Sequence, residues 1–464
     1  MKADKIYISE FEFLTIEELK IERMVGEHAT ATISGCICDD NIHIYRQKVL
    51  ERVWVEIIAE EENSEKKTLM MGFVAGFSFR QEQHATCLTL VLKSGTYQMD
   101  IACHFRSFQN HMTYLDVFNV ITQSYKKYGV MGESCLETSS INFLLQYKET
   151  DWMFLKRLAS HFGLSITPAI TREGVFYYVG NRNYSEHEVL PFTDYSATKC
   201  VDKYMEQGAN DIESFIEQDY LEYQVSLKEI YDLWDKLIFG SENGYVYRIH
   251  SEYSRGELIH TYYLRSIKRM GNTCIFNEKY AGYSFLAKVI EIREDKVKII
   301  LDGDENENQN NSQWFPYSTG YSSPDGSGWY CMPEIGDRVR LQLPDSKEEH
   351  AYIISAVHMP ADKGRKNPDF KSFKTKYGKE LLFTPNGIKL TNNKGMSIKI
   401  SDRNGISIKS NKNISIIAKE NLTISSEDSA LTIVGSESVD ITQAKAGLYL
   451  EQDVTFTGGK FRIQ

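Results

Sequence analysis

The chain of 464 residues has no run of 18 apolar residues, which is about the length that a membrane-spanning helix needs. Its first nine residues, from Met1 to Ser9, also lack the continuous apolar stretch of a secretory signal. We therefore expect a protein that is synthesised in the cytoplasm without a signal peptide and that does not enter a bilayer by itself.

Signatures of catalysis are missing as well. The sequence contains no Gly-x-Ser-x-Gly, no His-Glu-x-x-His, no phosphate-binding loop and no dinucleotide fingerprint. The loop from Asp302 to Gln313 begins like a calcium-binding EF-hand, but Glu307 replaces the required glycine and Gln313 the bidentate glutamate. We predict a solvated acidic loop, no catalytic residue, no cofactor and no enzymatic activity.

The eight cysteines are scattered without the regular spacing of a disulfide framework, which is typical of reduced thiols in a cytosolic protein. Cys36 and Cys38 alternate onto one face of a predicted strand, and His28 and His43 lie nearby in the sequence. These spacings differ from those of structural zinc sites. We therefore predict buried thiols and no metal.

Basic residues are fewer than acidic residues in this chain. The net charge is −11, which argues against nucleic acid as a main partner. From Gly387 to Gln464 there are ten Lys and Arg against eight Asp and Glu, so the preceding 386 residues carry −13. The acidic part of the chain therefore precedes a nearly neutral tail.

This tail carries a repeat: eight segments in which a turn residue is followed by two apolar residues two positions apart. The pairs are Ile388 and Leu390, Met396 and Ile398, Ile406 and Ile408, Ile414 and Ile416, Leu422 and Ile424, Leu431 and Ile433, Val439 and Ile441, and Leu448 and Leu450. Successive pairs are eight to ten residues apart. A fixed short period with alternating residues predicts a stack of single strands, each joined to the next by one corner.

One strand and one corner supply only about a third of a turn of a β-helix, because a complete turn of a single chain needs roughly 20 residues. The simplest closed arrangement is a prism of three identical chains whose apolar pairs meet on the axis. We predict that the tail folds as it trimerises. A β-meander within one chain or a disordered tail is the alternative.

The preceding residues predict several smaller folding units. Residues 5–95 and about 228–268 alternate like antiparallel strands, and the second block includes a turn at 240–244. Between them, helices are predicted from Thr113 to Lys127 and after the cap Thr150, the latter ending at Gly163. Residues 282–359 contain about five strands, which favours a small closed barrel of OB type.

Two motifs resemble VgrG proteins. The run from Leu145 to Leu158, followed by Gly163, resembles their QYxExDxxFLxRL hub segment, and Pro333 to Asp337 resembles the PExGDxV core of their OB module. The hub motif residues are Tyr147, Glu149, Asp151, Phe154, Leu155, Leu158 and Gly163, and the OB motif residues are Pro333, Glu334, Gly336 and Asp337. From the residues alone, Leu155 and Leu158 are most simply core and Glu334 to Asp337 a barrel turn.

The resemblance implies a mainly β fold: a tube-like β-barrel hub with an α+β insertion, an OB-fold barrel and a C-terminal triple-stranded β-helix, assembled as a homotrimer. The implied domains are 1–100 and 191–275 for the two tube-like barrels, 101–190 for the insertion, 280–360 for the OB fold, 361–386 for a linker and 387–464 for the spike. The sequence leaves open whether the machine is a phage tail, a phage-like bacteriocin, a free extracellular injector or a type VI apparatus.

The resemblance also implies a function and partners. A trimeric spike would join a hexameric tube of Hcp-like protein to a PAAR-type tip protein, contact baseplate proteins and carry effectors through a target envelope. The irregular end of the chain is the predicted tip-docking surface, with Val454, Phe456, Phe461 and Ile463. The alternative from another class is a trimeric phage tailspike enzyme that acts on surface polysaccharide.

Overall fold

The computed structural model describes residues 5–60, 66–82, 85–109, 112–181, 184–189, 194–202, 204–205, 216–306, 312–357 and 367–450, and the side chains of 82, 443 and 446–450 are not described. The chain divides into two compact units, 1–360 and 361–464. We call them the head unit and the C-terminal unit. Most of the regular structure in both units is β-strand, which confirms that the fold is mainly β as predicted, while the homotrimer stays a prediction.

The head unit begins with an antiparallel sheet and one helix. Its elements are β1 (Lys5–Ile8), β2 (Thr15–Met24), β3 (Thr30–Ile37), α1 (Ile42–Leu50), β4 (Trp54–Glu60), β5 (Lys66–Glu82) and β6 (Ala85–Lys93). The strands pair in the order β1-β4-β5-β6-β3-β2. Alternate residues, such as Ala31 and Ile33 of β3, are buried in one apolar core that also contains Tyr45 and Val49 of α1.

An α+β segment follows. Its elements are β7 (Cys103–Gln109), α2 (Tyr114–Thr122), β8 (Tyr128–Gly132), α3 (Ser134–Thr138), β9 (Phe143–Thr150), α4 (Asp151–Ser160), β10 (Ile166–Pro168) and β11 (Val175–Val179). Strand β7 pairs with β9, and β10-β11-β8 form a second small sheet. Helix α4 starts as predicted, because the Thr150 hydroxyl accepts from the Met153 backbone N–H at 3.2 Å. Helix α2 ends at Thr122, five residues before the predicted Lys127.

The second β block is joined to the first. Its strands are β12 (Glu186–Glu188), β13 (Tyr195–Lys199), β14 (Leu221–Leu227), β15 (Lys236–Phe239), β16 (Glu242–Ser254) and β17 (Glu257–Arg265). Strand β16 pairs antiparallel with β2, so that the two blocks form a single 12-stranded sheet. A separate core, which includes Trp234 and Tyr262, fills the second block.

A small barrel completes the head unit. Its strands are β18 (Ser284–Arg293), β19 (Lys296–Leu301), β20 (Phe315–Pro316), β21 (Arg338–Gln342) and β22 (Tyr352–Ile354), in the order β20-β19-β18-β21-β22. A bridge between Tyr317 and Ile353 connects the two ends of this order. The barrel core also takes in Phe143 and Leu145 of β9, so the insertion and the barrel share one apolar cluster.

The C-terminal unit contains an antiparallel sheet and a hairpin. Its strands are β23 (Lys371–Lys374), β24 (Glu380–Thr384), β25 (Gly387–Thr391), β26 (Ser397–Ser401), β27 (Gly405–Lys409), β28 (Val439–Gln443) and β29 (Ala446–Leu450). Strands β23 to β27 pair in sequence order, and β28 pairs with β29. The prediction of a linker over 361–386 is therefore wrong in its described part, because β23 and β24 lie there, with β24 paired to the first repeat strand β25 and β23 paired to β24.

The four α-helices of the described residues contain at most ten residues each, and none of them has the length and apolar character to span a membrane.

Candidate assembly interface

One face of the five-stranded sheet in the C-terminal unit carries two rows of apolar side chains. Residues paired directly across antiparallel strands share a face, so the strand register defines the rows. One row is Phe373, Leu381, Leu390, Ile398 and Ile408, and the other is Phe383, Ile388, Ile400 and Ile406. We call these nine residues the apolar ladder. All except Leu381 are at least 38% exposed, so one chain leaves most of this face open to solvent.

The other face of the same sheet is mainly polar. Lys389 stands directly opposite Lys399, which in turn stands opposite Ser407. Like charges that face each other across strands repel, and this arrangement suits a face that remains in water. The two faces therefore differ in polarity, and only the face with the apolar ladder would gain stability from being packed against another surface.

Between β27 and β28 the described chain continues the repeat without forming a strand. It bends at 411–412, 419–420, 427–429 and 436–437, so each straight piece is followed by a bend after about one repeat. The apolar pairs along this stretch are more than half exposed, namely Ile414, Ile416, Leu422, Ile424, Leu431 and Ile433. The segment therefore has exposed apolar side chains and no β-pairing with the described parts of its own chain.

The predicted axis residues whose side chains the structure describes fall into three groups. Ile388, Leu390, Ile398, Ile406 and Ile408 belong to the apolar ladder, and the six residues of the bent segment together with Ile441 are exposed. Val439 and Met396 are partly buried, and Met396 precedes β26 instead of facing outward with it. The side chains of Leu448 and Leu450 and all four predicted tip residues, Val454, Phe456, Phe461 and Ile463, lie outside what the structure describes.

Sequence reasoning missed four members of the ladder. Phe373, Leu381 and Phe383 lie in the predicted linker, and Ile400 lies two residues beyond the pair assigned to its repeat. The signal was present, because Leu381 and Phe383 alternate in the same way as the repeat pairs. In β26 the ladder residues are Ile398 and Ile400. Met396 lies in the turn before this strand, where its backbone N–H is hydrogen-bonded to a residue of the turn.

In the head unit, the hub motif forms a buried ion network. Arg157, which is 1% exposed, donates from Nε and Nη2 to the two carboxylate oxygens of Glu149, both at 2.9 Å. Its Nη1 donates to Glu348 of the barrel at 2.8 Å, and Nη2 also donates to the Leu145 carbonyl at 2.9 Å. Although burial alone lowers the pKa of Arg157, the two carboxylates raise it above its usual value. The network fastens the insertion to the barrel.

Asp151 is the centre of a second buried cluster. Its carboxylate, 1% exposed, accepts hydrogen bonds from Arg106 Nη2 at 2.9 Å, Tyr125 at 2.6 Å and Gln146 Nε2 at 3.0 Å. Burial and the bond to Asp151 raise the pKa of Tyr125. These contacts tie helix α4 to strands β7 and β9 and to the end of α2.

Most of the remaining hub motif residues make packing contacts in the core of the insertion or with the barrel. Phe154, Leu155 and Leu158 are fully buried in the core of the insertion, and the Tyr147 ring packs 4.9 Å, centroid to centroid, from Phe285 of the barrel. Gly163 has a φ of +67°, a left-handed conformation that side chains disfavour and that ends the helical segment. The burial of Leu155 and Leu158 agrees with the prediction that they are core residues.

The OB motif forms a tight turn. Asp337 accepts from the Glu334 backbone N–H at 2.8 Å, and its own N–H donates to the Glu334 carbonyl at 3.0 Å. Gly336 has a φ of +95° and donates to the Val289 carbonyl, while Pro333 is buried. The motif thus returns the chain to strand β21.

The prediction of a solvated acidic loop is wrong for Asp304. This carboxylate is 4% exposed, accepts from the Ser107 backbone N–H at 3.0 Å, and also accepts from the Ser107 hydroxyl. The neighbouring Glu305 accepts from His104 at 2.8 Å and from Arg106 Nε at 3.2 Å. The loop therefore holds strand β7 against the barrel, because its carboxylates match donors on that strand.

A cleft of about 760 Å³ lies between the insertion and the barrel. It is lined by His161, Cys274, Phe276, Tyr317 and Glu348, among others. Burial and the nearby Arg157 lower the pKa of His161, and Glu348 is already bonded to Arg157. Its described lining therefore brings no nucleophile, base and orienting acid together in a hydrogen-bonded series.

Comparison with known proteins rests on the fold alone. No protein-family model matches the sequence, and no curated protein matches it. Among solved structures, the chain resembles the E. coli c3393 protein, described as a type VI secretion component similar to the T4 tail proteins gp27 and gp5. The TM-score is 0.54 at 12% identity, covering 76% of this chain and all of that one.

A chain of the Francisella PdpA–VgrG complex gives a similar result. In the lidded form the TM-score is 0.59 at 10% identity, with 88% of this chain and 80% of that chain covered; in the half-lidded form it is 0.58 at 10% identity, with 88% of each covered. At such identities the likeness shows a shared fold. It confirms, at that level, the resemblance that the hub and OB motifs indicated.

Proposed function

We propose that this chain is the hub and spike subunit of a contractile injection system and that it assembles as a homotrimer through its C-terminal unit. The observation that carries the proposal is the exposed apolar ladder, continued by the exposed pairs of the bent segment. Contiguous apolar surface on this scale marks an interaction site. The fold shared with type VI and PdpA–VgrG components supports the tail-like context.

Three copies of the same chain are the proposed cover. Each straight piece and bend of about eight residues is roughly a third of a β-helical turn, so three chains would complete each turn and pair each other's backbones. Burying one Ile or Leu side chain contributes about 1.5 to 3 kcal/mol, and each of three chains brings the same rows. The apolar pairs would then meet on a common axis.

The proposed mechanism is mechanical. Contraction of an outer sheath would drive the tube and spike forward, and a narrow prism with paired strand edges would concentrate force without exposing a free edge. In the head unit, the joined 12-stranded sheet would face the tube protein, and three chains would present six β blocks to a hexameric ring. A PAAR-type tip protein, baseplate proteins and effectors are the further partners of this proposal.

Solution mass tests the assembly. The full chain should have three times the monomer mass, and a chain ending at Pro360, where the head unit ends, should be a monomer with a cooperative unfolding transition. Co-purification of the full chain with a hexameric Hcp-like tube protein from the same genome tests the tail context. A full-length monomer with a folded C-terminal unit would contradict the proposal.

A further inference from the structure

Three potential metal ligands meet at one end of the first sheet. The Sγ atoms of Cys36 and Cys87 are 4.0 Å apart, and Glu17 Oε1 lies 3.5 Å from the Cys36 Sγ. One ligand atom from each of the three residues lies within 4.8 Å of the others. Cys87 is buried, Cys36 is partly exposed and Glu17 is exposed, so the cluster can be reached from solvent.

The strand register brings these residues together. Cys36 of β3 stands directly opposite Cys87 of β6, so both thiols lie on the same face of the sheet. On the other side of β3, a β-bulge between Ile16 and Glu18 leaves Glu17 as the extra residue of β2. Bulges redirect side chains and are common beside functional sites.

Gly35 permits this bulge. A Cβ at this position would lie 2.2 Å from the Thr15 carbonyl oxygen, a distance at which the backbone of β2 would have to move away. The close approach of β2 to β3 therefore depends on glycine. It places the Glu17 carboxylate beside the two thiols.

The spacing fits a tetrahedral zinc ion. With Zn–S bonds of about 2.3 Å and a Zn–O bond of about 2.0 Å, tetrahedral angles separate two sulfurs by about 3.8 Å and a sulfur and an oxygen by about 3.5 Å. The observed 4.0 Å and 3.5 Å are close to both values. Arg80 stands opposite Cys87 on β5, where its charge would offset the surplus negative charge of two thiolates and a carboxylate.

The sequence predicts no metal, and the thiol pair considered there, Cys36 and Cys38, is not the pair that the fold brings together. Cys38, two residues after Cys36, has its Sγ 3.9 Å from Asp40 Oδ2 and lies outside the cluster. His28 is hydrogen-bonded to Thr96 and packs against Trp152. Cys36 and Cys38 are also only partly buried, so the prediction of buried thiols is wrong for both.

We propose that Glu17, Cys36 and Cys87 bind one zinc-like divalent ion, with solvent as the fourth ligand. Binding would release the thiol protons, since thiolates are the ligands. The ion would link β2, β3 and β6 beside the bulge in β2. Because the ion would bind the folded state in preference to the unfolded one, the stability of the head unit would rise with the logarithm of the free ion concentration once this exceeds the dissociation constant.

Cadmium titration of the full chain, kept reduced by a phosphine, tests this site through the sulfur-to-cadmium charge-transfer band in the ultraviolet. We expect one equivalent of Cd²⁺ per chain and competition by Zn²⁺. Cys36→Ser and Cys87→Ser should each abolish tight binding. Glu17→Gln should keep the band but weaken affinity by about tenfold or more.

The matched controls are Cys38→Ser and Glu18→Gln, which alter a neighbouring thiol and a neighbouring carboxylate outside the cluster and should leave the titration unchanged. Circular dichroism without metal checks that each variant is folded. Absence of binding by the reduced wild-type chain would overturn the site. So would unchanged binding by the Cys36→Ser/Cys87→Ser double variant, or a loss caused equally by Cys38→Ser.

Discussion

The head unit and the C-terminal unit use the same period-two alternation but differ in what covers the apolar face. In β3 of the head unit, Ile33 is completely buried, because it lies in one apolar core with residues from other strands of the same sheet and from helix α1. In β27, Ile406 is 72% exposed and Ile408 is 59% exposed. Period-two alternation therefore gives a strand one apolar face. Whether other elements of the same chain pack on that face depends on the rest of the sequence.

Polar groups show the same contrast. The head unit buries a charged network in which Arg157 has partners for its donors in Glu149, Glu348 and the Leu145 carbonyl. Such a network contributes only when the surrounding protein is complete, because a buried charge without a partner is costly. The head unit thus buries charged and apolar groups among its own residues, whereas the C-terminal unit leaves most of its apolar ladder exposed.

The largest effect is expected from charged side chains placed in the apolar ladder. Ile406→Asp together with Ile408→Asp should abolish trimer formation, because each chain would bring two carboxylates to a desolvated axis at a cost of several kcal/mol per ion. Ser407→Asp, on the opposite face, is the control and should preserve the trimer. Analytical ultracentrifugation gives the mass, and an unchanged trimer in the double variant would show that the ladder is not the interface.

The next largest effect is expected inside the head unit. Arg157→Met leaves Glu149 and Glu348 buried without their cation and should lower the free energy of unfolding by about 3 to 5 kcal/mol. Lys156→Met, at the next position of α4, removes an exposed pair with Glu27 and should cost about 0 to 1 kcal/mol. Urea unfolding measures both, and equal effects would contradict the role of the network.

Acid should weaken the head unit through His28. Burial lowers the pKa of His28 to about 4, against the partly compensating charge of Asp100, whereas an unfolded histidine titrates near 6.5. As pH falls through this window, the unfolded chain takes up a proton that the folded chain does not, so stability decreases, by up to about 3 kcal/mol near pH 4.

Unfolding free energies measured between pH 7 and 4 check this dependence. His28→Asn should flatten the pH profile, while the same substitution at the exposed His43 should leave its slope unchanged. An identical slope in wild type and His28→Asn would assign the effect to other groups.

The smallest expected effect concerns one helix cap. Thr113 and Asp116 form a reciprocal capping box at the start of α2, with the Thr113 hydroxyl accepting from the Asp116 N–H at 3.1 Å. Thr113→Ala should lower the unfolding free energy by about 1 kcal/mol. The exposed Gln123 at the other end of α2 is the control, and Gln123→Ala should change stability by less than about 0.5 kcal/mol.

Local patterns predicted much of the fold. The β-rich blocks, the Thr150 cap, the glycine stop at Gly163 and the five-stranded barrel each depend on short-range periodicity or turn chemistry. The failures occurred where a local pattern was short or had two readings. The Lys- and Pro-containing surroundings of β23 and β24 favour a linker, although both are strands, and the acidic composition of the 302–313 loop favours solvent exposure, although Asp304 is buried.

By itself, the sequence determined that the chain is mainly β and that its tail repeats an apolar pair every eight to ten residues. Tertiary structure alone decided which distant residues meet: Arg157 and Glu348 are 191 positions apart, and Cys36 and Cys87 are 51 apart. Periodicity records which side of a strand is apolar, because that depends only on neighbouring residues. Contacts between residues distant in sequence depend on strand register and side-chain packing, and both depend on the whole chain.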